Sequence, residues 1–103
     1  MVKSTPADRD SLVRSVLTDR GDSGETPRHT LFYFYEGDLD ELRRAAIAAG
    51  YQVSPTVKRD GLVLETMTAV DEDSFAVHAR QMNEWAERYG CDFDGWECQL
   101  LIQ

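Results

Sequence analysis

"HTLFYFYE", residues 29–36, is the densest aromatic run in the chain. Aromatic and β-branched residues suit a pleated, partly covered surface, so this stretch reads as a strand. It is apolar at successive positions, which places it inside a sheet rather than at its edge. Alternation sets Phe32 and Phe34 on one side, and Leu31, Tyr33 and Tyr35 on the other. The phenylalanines are expected to face covering helices. A tyrosine hydroxyl tolerates water, so Tyr33 and Tyr35 are expected on an open face.

The flanking segments alternate in type. "GDLDELRRAAIAAG", 37–50, follows as a helix with Leu39, Leu42, Ala46 and Ala49 on one face. Asp38 and Glu41 have the spacing of a capping box, and Gly50 supplies a left-handed end. "YQVSPTV", 51–57, is a short strand in which Pro55 points to an edge. "KRDG", 58–61, reads as a hairpin turn with Asp60-Gly61 at its tip. "LVLETMTAV", 62–70, returns as a longer strand.

A second long helix begins after Asp71 or Asp73. It carries Phe75, His78 or Ala79, Met82, Trp85 or Ala86, and Tyr89 at helical spacing, and ends at Gly90. The last strand is expected at about 94–102. Upstream, residues 8–19 form a helix with Leu12, Val13, Val16 and Leu17 as its stripe, and Asp8 or Asp10 as its cap. "RGDSGETPR", 20–28, is a loop, and residues 1–7 are expected to be disordered.

The order after the first helix is therefore β-α-β-β-α-β. Right-handed crossovers leave few arrangements. The commonest is an α+β, ferredoxin-like βαββαβ sandwich, with an antiparallel four-stranded sheet and two helices on one face. The whole chain, 1–103, is expected to be one such domain, with the N-terminal helix added.

Eleven basic residues against nineteen acidic give a formal charge of −8. That field repels a nucleic-acid backbone within a Debye length of about 8–10 Å, so direct nucleic-acid binding is not expected. A basic protein partner fits the sign better. No apolar run approaches a membrane span, and "MVKSTPADRD" has none of the character of a secretory leader. A cytoplasmic protein is expected. Cys91 and Cys98 match no common zinc spacing. On one extended strand they would lie about 20 Å apart, too far for a mutual disulfide, so both are expected as thiols.

His29 and His78 have no companion at metal-ligand spacing, and no glycine-rich phosphate loop is present. The carboxylates cluster where helices begin, at Asp38, Asp40 and Glu41 and again at Asp71, Glu72 and Asp73, where capping accounts for them. No catalytic residue, cofactor or metal is expected, and the protein is read as a non-enzyme. On the last strand Trp96, Cys98 and Leu100 share a side opposite Glu97 and Gln99. Periodicity leaves open which side is buried, and Trp96 is either a core anchor or part of a contact surface. The candidate protein-binding residues are Tyr33, Tyr35, Asp94, Trp96 and Glu97.

"LTDRGDSGETPRHTLFYFYE", "AAGYQV" and "FDGW" together resemble the regulator of ribonuclease E activity B family, often written RraB. The matching residues include Gly50-Tyr51-Gln52-Val53 and Phe93-Asp94-Gly95-Trp96. The likeness implies a ferredoxin-like fold and an intracellular bacterial protein. It also implies a regulator that binds ribonuclease E, or a related RNA-processing enzyme, and inhibits RNA cleavage. The rival expectation is a small homodimeric ligand-binding module, with a pocket between two open sheets.

Overall fold

The computed structural model describes residues 6–57 and 59–101, with side chains from residue 12 onward. The elements run α1 (Pro6–Asp19), β1 (Arg28–Tyr35), α2 (Leu39–Ala48), β2 (Gln52–Pro55), β3 (Gly61–Thr68), α3 (Glu72–Tyr89) and β4 (Asp92–Cys98). The strands form one four-stranded antiparallel sheet in the order β2-β3-β1-β4. β1 and β3 are central, as their apolarity requires. Pro55 sits on the edge strand β2, where a missing N–H costs no ladder bond.

Phe32 and Phe34 on β1, Leu62 and Leu64 on β3, and Phe93 and Trp96 on β4 form one covered face. Leu42 and Ala46 from α2, and Phe75, Met82 and Trp85 from α3, close over it. Each large apolar side chain buried this way contributes about 1.5–3 kcal/mol. The rings interlock: Phe75 lies 4.1 Å from Trp96 between centroids, and Phe34 5.0 Å from Phe93.

Both large helices carry an aspartate N-cap, but the expected capping box is open, since the Asp38 N–H donates to the Tyr89 carbonyl at 2.9 Å instead of to Glu41. Asp38 accepts from the Glu41 N–H at 3.1 Å, and Asp71 from the Ser74 N–H at 3.3 Å. Bonds to Ser74 hold the Asp71 carboxyl below the usual carboxylate range. Glu41 pairs with Arg44 at 2.6 Å on the exposed helix surface. Gly90 ends α3 in the left-handed region, φ 65°.

α1 packs against β4 and adds Leu17 to the core, with Val13 beside it. Its Arg14 donates to the Val70 carbonyl at 2.9 Å and lies over the Phe75 and Trp96 rings. Arg28 is fully buried and grips Asp22 through both terminal guanidinium nitrogens, at 2.6 and 3.0 Å. This pair anchors the loop before β1. Its hydrogen bonds also lower the pKa of the Asp22 carboxyl.

Several boundaries differ from the sequence reading. β4 begins at Asp92 and ends at Cys98, not 94–102; Gln99 still donates to the His29 carbonyl at 2.9 Å before the chain leaves the sheet. Asp94-Gly95 is a β-bulge inside β4. Gly61 lies in β3 opposite Tyr35 rather than at a turn tip. Ala49 is exposed, because α2 ends at Ala48 and the chain turns away toward β2. Residues 1–5, Lys58 and residues 102–103 lie outside the described residues, so the expected strand end at 102 falls there, as do the Asp8 and Asp10 side chains. Pro6 and Ala7, expected to be disordered, open α1.

Candidate functional site

The sheet face turned away from α2 and α3 is built in register. Across the strands, one row sets Gln52, Glu65, Leu31 and Glu97 side by side. The next sets Ser54, Val63 and Tyr33 beside the bulge at Asp94 and Gly95. A third sets Gly61, Tyr35 and Asp92 together. Leu31, Tyr33, Tyr35 and Val63 are half-buried by their neighbours alone, and Met67 is 57% exposed.

Polar contacts order this face. The Tyr33 hydroxyl donates to a Glu97 carboxylate oxygen. His29 Nδ1 meets Glu65 Oε1 at 2.8 Å. The Arg59 guanidinium, from the turn joining β2 to β3, lies 3.7 Å above the Tyr35 ring centroid. That ring leans across Gly61; a Cβ there would run into it and into the Phe34 carbonyl.

Of the candidate residues, the structure brings Tyr33, Tyr35 and Glu97 together on the open face and sets Asp94 beside Tyr33 across the bulge. Trp96 is a correction to that set. It is 2% exposed and packs under Phe75 and Arg14, so it belongs to the core and not to the open face. The bulge is the cause, since it turns Trp96 to the same side as Phe93. Sequence reasoning missed Arg59, Glu65 and Asp92. Their places depend on strand pairing, and no local signal marks them.

The groups that commonly carry chemistry are engaged in packing. His78 stacks on Phe32, and its Nδ1 lies 2.6 Å from the Tyr51 hydroxyl. Burial lowers the His78 pKa and raises that of Tyr51, so both favour their neutral forms. Cys91 and Cys98 are free thiols, both pushed up chiefly by burial. A hollow of about 530 Å³ on the outside of α3 is lined by Gln81, Glu84, Trp85, Glu87 and Arg88, with no serine, cysteine, histidine or lysine among them. Among the described residues no group of three or more His, Cys, Asp or Glu could hold a metal ion. No helix among them is long and apolar enough to cross a membrane.

These features define a small α+β protein in which the sheet face away from α2 and α3 is polar and aromatic and, among the described residues, partly exposed. The family model described as "Regulator of ribonuclease activity B" matches residues 7–98, and the chain belongs to that family. The match covers every strand and both large helices. It defines a family of regulators of ribonuclease activity. Comparison with the curated proteins and with the solved structures gives no match.

Proposed function

We propose that this chain is a cytoplasmic regulator that docks on ribonuclease E, or a related RNA-processing enzyme, and restrains RNA cleavage without touching RNA itself. It does so as a single domain of ferredoxin-like βαββαβ topology. The observation that carries this reading is the family match over residues 7–98, which takes in the whole sheet. The charge of −8 supports a protein contact over an RNA contact.

The proposed contact is the open face with Tyr33, Tyr35, Asp94 and Glu97. Exposed ion pairs give only about 0–1 kcal/mol each, so affinity rests on the aromatic centre. The acidic rim adds speed and selectivity. Binding therefore weakens as salt rises.

Tagged chain used to capture partners from a bacterial lysate, followed by an RNA-cleavage assay with purified ribonuclease E, tests the reading. Capture of the enzyme and slowed cleavage are expected. Cleavage unchanged at saturating regulator would overturn it. A tight dimer in sedimentation that retains a small molecule would support the ligand-binding module instead.

A further inference from the structure

Arg59 occupies a telling position. The turn that carries it is tied by the Thr56 hydroxyl, which donates to the Arg59 carbonyl, and by the Thr56 N–H, which donates to the Gly61 carbonyl at 3.2 Å. From there the side chain reaches across β3 to lie on Tyr35. Gly61 makes this geometry available, because without a Cβ the Tyr35 ring can lean over β3. Arg59 itself is exposed, so water competes for its charge and the contact is weak.

The surroundings favour cations. Glu65 and Glu97 flank Leu31 in one row, and Asp92 stands beside Tyr35. Among the described residues, the cationic side chains seen on this face are His29, on Glu65, and Arg59, on the Tyr35 ring. A flat ring next to carboxylates suits a guanidinium better than an ammonium, since a guanidinium stacks and donates in its plane together.

We propose that the Tyr35–Asp92 end of the open face accepts an arginine from an extended basic segment of the protein partner, and that Arg59 is an internal placeholder which this arginine displaces. The inference rests on the regulatory reading above and adds the chemistry of the partner segment and a built-in brake on binding. The occupant is argued from charge complementarity and from the cation already seated on the ring.

The test uses the full chain, isotopically labelled, titrated with two glycine-spaced peptides of equal length and charge, one carrying arginines and the other lysines. The arginine peptide should bind more tightly and shift the amides of Tyr33, Tyr35 and Asp92. Arg59→Gln should tighten arginine-peptide binding by about threefold, the scale of one exposed cation–π contact. Arg80→Gln removes the same charge from the exposed surface of α3 and should leave the affinity unchanged. Tyr35→Phe should retain the arginine preference, and Tyr35→Leu should lose it, each in a chain whose remaining amide spectrum is native. Equal affinity for both peptides, shifts confined to the helices, or equal tightening by the two arginine variants would overturn the proposal. Ribonuclease capture separates the two ideas. Capture indifferent to Tyr35→Leu and Arg59→Gln discards the arginine site and leaves the regulator. An intact arginine preference with no effect on ribonuclease does the reverse.

Discussion

Phe93 and Trp96 both point into the core, although a regular strand would send residues three apart to opposite faces. The pairing with β1 shows how. Phe34 faces Phe93 and Phe32 faces Trp96, so Tyr33 alone stands against Asp94 and Gly95. The extra residue is a bulge, with Gly95 at φ 103°, a conformation that side-chain-bearing residues rarely adopt.

Gly95→Ala should therefore destabilise the fold by about 1–3 kcal/mol, the range for a residue forced into a sparsely populated backbone region. Urea unfolding followed by tryptophan fluorescence would measure it. A variant as stable as the parent would show that the bulge does not depend on glycine.

The Arg28–Asp22 pair is almost wholly withdrawn from water, at 0% and 5% side-chain exposure. Asp22→Asn leaves a buried guanidinium without its counter-charge and should cost about 3–5 kcal/mol. The pH dependence has a definite sign. The folded Asp22 carboxyl is held below its ordinary value of 3.8, so the pair's contribution is complete above that value. It is lost as pH falls through the lower folded value. The gap in stability between parent and Asp22→Asn should narrow only in that acid range, as read by denaturant titration at a series of pH values.

His78 acts in the same sense, in a less acid range. Burial lowers its pKa from 6.5, so the unfolded chain binds a proton more readily than the folded one. Stability should fall as pH drops below 6.5 toward the folded value, and level off beyond it. In His78→Gln this slope should be missing. An equal slope in both proteins, measured by thermal unfolding, would assign it to another group.

At the start of α2, Asp38→Ala should cost about 0.5–2 kcal/mol through loss of the cap on the Glu41 N–H. Glu41→Ala should change stability by less than about 0.5 kcal/mol, because its carboxylate pairs with a 75% exposed Arg44. Paired denaturation curves check both. A large effect of Glu41→Ala would point to a closed capping box in solution.

Much of this molecule is legible in its local chemistry. Asp38, Asp71 and Gly90 mark helix ends through bonds and dihedrals that span only a few residues. Phe32 and Tyr33 declare their faces because alternation within one strand requires no knowledge of its neighbours. That reasoning reached the two tyrosines of the candidate face, and the reading of the last strand added Asp94 and Glu97. Trp96 was ambiguous because its direction depends on a bulge that exists only when β4 is paired with β1. Arg59, Glu65 and Asp92 reach the same face from three segments far apart along the chain, brought together by strand register. Local forces act between near neighbours and leave their mark in the sequence, so the order of the elements and the inner face of β1 are legible there, whereas the ends of β4 and the side of Trp96 are not. Contact between distant residues is decided by how the sheet closes, so the makeup of the open face belongs to the tertiary structure.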